Sequence, residues 1–439
     1  MHEPYIIGID IGTGSTKAVS IDLKGNILHV AQSSYPTIQP EPGYSEQDPE
    51  RIWAAFKECV SKTTGHIGYE PVALSLSSAM HSIIPVNELG RALMNMITWA
   101  DARSEAIAEG LKASEQGEQI YRTSGTPLHA MAPLSKILWI KQNKPSLYTE
   151  TFKFISIKEF IWFKLFATFE IDYSIASATG MFDIIKLCWS ETIIDTVGLN
   201  ISQLSEPVNT SFLRDQIQED VAIEMDLPKD TKVIIGASDG CCANLGSAVI
   251  DARKAALTIG TSGAVRVTSD KPVYDFRAMT FNYLLDEKTY ICGGPVNNGG
   301  LAIDWAIKKF LNNPASTGDT YNIFFSIIQQ QPFAAEKLLF LPYLTGERAP
   351  YWDTAASAAF IGLRPHHNIA DFLRAVLEGV CFALNQVLVT VEQSVGNIEQ
   401  LHVSGGFIHS PLWLQVLSDL TGKKLLLVQT EDASAIGAA

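Results

Sequence analysis

Short apolar runs that stop at polar, glycine-rich turns recur along this chain, and each has the length of a buried strand. The first, Tyr5-Ile6-Ile7-Gly8-Ile9, ends at Asp10 and meets a turn built from Gly12, Thr13, Gly14, Ser15, Thr16 and Lys17. Ala18 to Asp22 roughly alternates, Leu23 to Asn26 reads as a turn, and Ile27 to Gln32 reads as a third strand. The pattern is a three-stranded meander. Val72 to Leu76 and Val233 to Gly236 are further buried strands, running into Ser77 to Ser82 and into Ala237-Ser238-Asp239-Gly240. Ile97 to Arg103 and Glu170 to Tyr173 form two more polar clusters of this kind. In open α/β sheets, ligands are met at such strand ends.

Helical patterns fill the intervals. Asp48-Pro49 supplies a capping acid and a proline at the first helical position, after which Ile52, Phe56, Cys59 and Val60 share one face. Met131 to Ile140 reads as an amphipathic helix. Asn368 caps a long one that buries Phe372, Leu373, Val376, Leu377, Val380, Ala383 and Leu384. Leu401 to Val403 is a strand leading to Ser404-Gly405-Gly406-Phe407, and Ser410-Pro411 opens a helix that stops before Gly422. Ser434 to Ala439 reads as the start of another helix. The opening pattern also returns at Ala256 to Val265, with Gly260, Thr261, Ser262 and Gly263 as the small turn. It looks like an internal repeat spaced by roughly one domain length.

At 439 residues the chain is too long for one compact core, and 46% hydrophobic content can fill two. The net charge of −14 argues against nucleic acid or an anionic membrane surface as a general partner. Six cysteines without a C-x-x-C pair suggest neither a disulfide framework nor a zinc site, which fits a cytoplasmic protein. No basic stretch followed by an apolar core marks the N-terminus as a signal peptide. The most apolar window reads as Phe152 to Ile171. Lys153, Lys158, Glu159, Lys164 and Glu170 interrupt it, so a buried strand and helix are expected there rather than a membrane span. Apolar surface could support a homodimer.

Glycine-rich turns let backbone N–H groups approach phosphates, hydroxyls and a lysine add donors, and Asp10 sits where a metal would ride with them. The spacing is not that of a dinucleotide fold, because Lys17 stands at the third glycine position, and no Walker loop is present. An ordinary hairpin with no ligand would share the pattern. Two copies of it favour two related domains that hold phosphates between them.

Together these stretches resemble the FGGY carbohydrate kinases, within the wider superfamily of actin, the seventy-kilodalton heat-shock proteins and hexokinase. Met131 to Asn143 resembles the family's N-domain signature, Ser357 to Glu378 its C-domain signature, and Tyr343 to Asp353 a further family motif. The likeness covers essentially the whole chain. It implies an α/β fold of two ribonuclease-H-like domains flanking a deep cleft, residues 1–245 on the sugar side and 246–439 on the nucleotide side. The family usually continues past Ala439 with further helices that pack back on the first domain.

The implied chemistry is ATP-dependent phosphorylation of a sugar-like polyol. Asp239 would be the base that takes the acceptor's proton, and Asp10 would hold Mg²⁺. Thr13, Gly14, Ser15, Lys17, Gly260 and Thr261 would lie near the phosphates. Gly405, Gly406 and Phe407 would border adenine, with Gly300 and Asp304 opposite. Met80, His81, Trp99, Asp101, Arg103, Asp172 and Tyr173 fall on the sugar side. The strings Ala79 to Ser82 and Ile97 to Ser104 are most similar to the gluconate-phosphorylating branch of the family, with Arg103 or His81 as a cation for the carboxylate. A plain structural role for both remains open: Arg103 pairing with Asp101, and His81 as a neutral hydroxyl partner. D-Xylulose is the second acceptor. Glycerol is disfavoured, since its kinases carry Arg-Glu where Met80-His81 stand. The fold also serves nucleotide-binding proteins that phosphorylate no small molecule, but those would be expected to lack Asp239 or the sugar-side cluster.

Overall fold

In the computed structural model the described residues are 3–311, 318–330, 337–428 and 432–439. Two six-stranded sheets carry the chain. In the first, Tyr5–Ile11 pairs antiparallel with Ser15–Asp22, which pairs with Ile27–Ser34. On its other side Tyr5–Ile11 runs parallel to Ala73–Ser78, which lies parallel to Val233–Ser238. The second sheet repeats this plan. Lys254–Ile259 pairs antiparallel with Gly263–Ser269, then Tyr290–Val296, and lies parallel to Gln400–Ser404, then Lys424–Leu427. Setting aside one antiparallel edge strand in each, Leu213–Arg214 and Phe281–Leu284, both sheets have the spatial order third, second, first, fourth, fifth, which makes the repeated hairpin part of a repeated domain.

The two hairpins close alike. Gly12 N–H donates to Ser15 O at 3.0 Å, and Gly260 N–H donates to Ser262 O at 2.8 Å. The strand Val233–Ser238 slips register against its neighbour between Ile234 and Ala237. There Gly236 adopts a left-handed φ of 67°, and a Cβ would fall 1.8 Å from Leu76 O. Only glycine fits this irregularity, which re-aims the strand end that delivers Asp239.

The long helix Ile369–Val395 begins with a reciprocal cap between Asn368 and Asp371 and buries the expected apolar side apart from Phe372, which is half-buried. Among the described residues it is the one helix long and apolar enough to cross a membrane by composition, and 61% of its most apolar window is buried inside the protein, as in a core helix. Phe152–Ile171 forms the strand Lys153–Ile155, the helix Ile157–Phe166 and the strand Glu170–Asp172, the strand and helix expected there rather than a span.

The final helix, Ala433–Ala438, leaves the second sheet and lies on the first domain, against the helix Asp239–Gly246 and the strand Tyr5–Ile11. Small residues make the seat. A Cβ on Gly8 would stand 1.9 Å from Ala435 O, and one on Gly437 would stand 1.9 Å from Cys242 O. Gly8→Ala and Gly437→Ala are each expected to cost about 1–3 kcal/mol, because backbone cannot yield as a side chain can. Thermal unfolding checks this. The double variant should lose less than the sum of the two, since either change unseats the same helix.

Candidate active site

Adjoining cavities lie between the two halves of the chain and within the second half. One, of about 330 Å³, is lined by Thr13, Met80, His81, Trp99, Met131, Asp239, Arg266, Phe281, Tyr283 and Arg348. A second, of about 610 Å³, is lined by Gly260, Thr261, Gly300, Asp304, Tyr321, Phe325, Gly406, Phe407 and Trp413. A third, of about 680 Å³, shares Asp239, Thr258 and Arg266 with the first and Gly406 and His409 with the second; Gly405 and Ser434 also line it. Asp239 thus sits where a polar, aromatic-walled cavity opens onto a long groove.

Asp239 is the first residue of its helix, capped by Ser238, and its Oδ1 accepts from Gly240 N–H at 2.6 Å. Burial pushes its carboxyl above the ordinary range, while the Arg266 guanidinium pulls it back. Asp10 lies within its field. Burial first, and then the Asp239 charge, raise Asp10 to about 7; Ser77 Oγ donates to it at 3.1 Å. A buried hard carboxylate whose ionisation is opposed by a second one nearby is a donor set that a divalent cation would neutralise. Among the described residues no cluster of three or more His, Cys, Asp or Glu is grouped for a metal. One or two carboxylates plus ligand phosphates is the usual Mg²⁺ arrangement, so the residues fit that ion.

The loop holding Met80 and His81 is fixed from below. His81 adopts a left-handed φ of 66°. Its Nδ1 lies 2.9 Å from Ala178 O, so Nδ1 carries the proton, and Nε2 accepts from Tyr283 OH at 3.1 Å. Lys136, buried within the signature helix, donates to His81 O at 2.5 Å and to Thr98 O at 2.7 Å. One ammonium thereby ties together the loops carrying His81 and Trp99. Trp99 Nε1 in turn donates to Thr13 Oγ1 at 2.9 Å, which joins the acceptor wall to the first hairpin.

Several residues expected in the site lie elsewhere. Arg103 is a correction. Its Nε and Nη2 bind Asp101 at 2.8 and 2.7 Å, Nη2 also meets Glu46 at 2.7 Å, and its guanidinium lies 3.9 Å from the centre of the Tyr44 ring. Two carboxylates saturate it, and neither Arg103 nor Asp101 lines a cavity described above. Asp172 caps the helix Tyr173–Ser177 and pairs with Lys158 at 2.9 Å; Lys158 also donates to Ala237 O at 2.8 Å, two residues before Asp239. Asp172 therefore braces the strand end instead of facing the cavity, and Tyr173 packs on Phe182. Ser15 Oγ accepts from Gln32 Nε2, Gly14 is exposed at the hairpin tip, and Lys17 pairs with Asp432 at 2.9 Å. Asp304 and Phe407 do line the second cavity, where Asp304 accepts from Tyr321 OH and Phe407 packs on Trp413.

Arg266, Tyr283, Phe281, Met131 and Arg348 are lining residues that the sequence reading did not select. Arg348 stands in the Tyr343–Asp353 motif and Arg266 on the strand after the second hairpin, so proximity to recognised motifs was the available signal.

Residues 5–246 match the N-terminal domain of the FGGY family of carbohydrate kinases, and residues 255–439 match its C-terminal domain. A gluconokinase of Bacillus subtilis is 38% identical over 441 residues, covering 99% of this chain and 86% of that protein. A xylulose kinase of Staphylococcus epidermidis is 29% identical over 100% of this chain and 87% of its own length. Among solved structures, a gluconate kinase and a ligand-bound xylulose kinase, both from Lactobacillus acidophilus, each superpose with a TM-score of 0.94 at 34% identity, covering 99% of this chain and 88% of theirs.

Burial lowers His81 to about 3, and His129 behind it likewise. Each folded pKa lies below the unfolded value, so the folded state binds fewer protons, and stability falls as pH drops below about 6.5 towards 3. His81→Asn keeps a residue tolerant of left-handed backbone. Its melting temperature should fall less steeply than the wild type's between pH 7 and pH 4.5; an equal fall would mean that His81 is already charged in the fold.

Proposed function

The chain belongs to the FGGY family of carbohydrate kinases, enzymes that phosphorylate sugars with ATP, and from that premise we propose that its acceptor is a sugar acid, D-gluconate, converted to 6-phosphogluconate. The observation that carries this reading is the charge of the acceptor cavity. In a chain of net charge −14, it is lined by two guanidinium groups, Arg266 and Arg348, neither with a carboxylate in ion-pair distance among the described residues. Asp239 in the same cavity offsets Arg266, so an anionic acceptor meets complementary charge at Arg348 and a neutral one does not.

In this reading Asp239 accepts the proton of the attacking hydroxyl while the γ-phosphoryl group arrives along the groove shared with Arg266 and Gly406. A loose phosphoryl transition state asks little of the base, so position matters more than basicity. Trp99 offers a flat apolar face to C–H groups, and neutral His81 accepts or relays hydroxyl hydrogen bonds. Gly300, Asp304, Gly406 and Phe407 fit the base and ribose of ATP in the second cavity. Mg²⁺ bound with the nucleotide, on the Asp10 side, would neutralise phosphate charge. Lys17 is spent on Asp432 and Ser15 on Gln32, so backbone donors of the two hairpins are the better phosphate ligands.

D-Xylulose is the second reading, favoured by relatives named for it over the same span of chain. Coupled ADP release measured over D-gluconate, D-xylulose, L-ribulose, L-fuculose and glycerol separates the two. Turnover of D-xylulose without D-gluconate would overturn the sugar-acid assignment. Asp239→Asn should lower kcat by roughly 10²–10⁴-fold while nucleotide binding persists; undiminished turnover would remove Asp239 from the role of base.

A further inference from the structure

With Arg103 saturated by two carboxylates, His81 uncharged and Lys136 bonded to backbone carbonyls, two cations of the acceptor cavity are left for a ligand, and they differ in place. Arg266 lines both the acceptor cavity and the groove, next to Thr258 at 3.4 Å and within the field of Asp239. It belongs to the phosphoryl end. Arg348 lines only the acceptor cavity among those described, with its guanidinium 5.3 Å from the centre of the Trp99 ring.

The way Arg348 is held leaves its fork open. Nε donates to Asn297 Oδ1 at 2.7 Å and Nη2 donates to Val296 O at 3.3 Å, both neutral acceptors. A guanidinium has five N–H donors, so three remain, two on Nη1 and one on Nη2. The neighbouring Glu347 carboxylate adds a favourable field but does not occupy the fork, its Oε1 accepting from the backbone N–H groups of Asn297 and Arg348 at 2.6 and 2.8 Å. A charged, pre-oriented fork beside an aromatic face, with no carboxylate in ion-pair distance among the described residues, matches a planar carboxylate.

We propose that Arg348 is the carboxylate-binding, specificity-determining residue of this site, anchoring the acid end of an acyclic sugar acid so that its far hydroxyl reaches Asp239. This rests on the sugar-acid reading above and adds the residue that selects for it. Arg348→Gln should raise KM for D-gluconate at least about tenfold, the low end of what losing a charge-assisted pair costs. KM for ATP should stay within about twofold. Arg348→Lys, which keeps the charge without the fork, should fall between and guards against a fold-level failure of the first variant.

Inhibition by neutral D-gluconamide isolates the carboxylate. The wild type should prefer the acid over the amide, and Arg348→Gln should bind both about equally. If acid and amide weaken in parallel, or if KM for D-gluconate does not move, Arg348 does not read the carboxylate, and the inference falls with the sugar-acid reading intact. If the wild type itself takes D-xylulose and not D-gluconate, both fall.

Discussion

Two buried ammonium groups hold the acceptor side of the cleft in shape. Lys136 bonds to the carbonyls of His81 and Thr98, and Lys158 bonds to Ala237 O and pairs with Asp172. Each ties loops from different strand ends, which are far apart in sequence and have no ladder of their own. Burying a lysine is costly, and burial lowers Lys136 to about 7. That cost is offset only while the carbonyls stay in place, so each lysine penalises any drift of the loops that carry His81, Trp99 and Asp239.

Above this scaffold the cleft separates charge along its length. Asp239 lines the groove with Asp10 within its field, and burial raises both. Arg266 stands beside them, and Arg348 lies deeper on the acceptor side. Burial pulls the pKa of both guanidiniums down, because each charge is removed from water without a carboxylate in ion-pair distance among the described residues. A resting site with frustrated charges of both signs gains most from a ligand and metal that satisfy them together. This is how binding free energy can be directed to orientation at the reacting atoms.

The elements and their order were largely legible. Apolar runs marked the sheet strands, Asn368 and Ser410 marked helix starts, and the two Gly-rich hairpins exposed the duplication. Local pattern suffices for these because each depends on residues within a few positions of one another. Arg103 was misjudged for the opposite reason: its second partner, Glu46, lies 57 positions away, so its saturation is a tertiary fact. Arg348 and Arg266 were overlooked on the same ground, since an arginine's availability is set by which carboxylates fail to reach it. Lys17 belongs here too, with a partner 415 positions away.

That last pair changes how the first hairpin works. Lys17 faces Asp10 across the opening ladder, yet its ammonium is directed to Asp432 at the root of the final helix. The same helix sits on Gly8, two residues before Asp10, and Ser434 Oγ donates to Asp239 O at 3.2 Å. One short segment from the second half of the chain therefore touches the supports of both carboxylates in the cleft. Without that seat, Asp10 and Asp239 would keep their strands but lose a shared reference between them. Their separation decides whether a metal ion and a hydroxyl can be served at once. The tight glycine contacts under the helix thus bear on catalytic geometry as well as on stability.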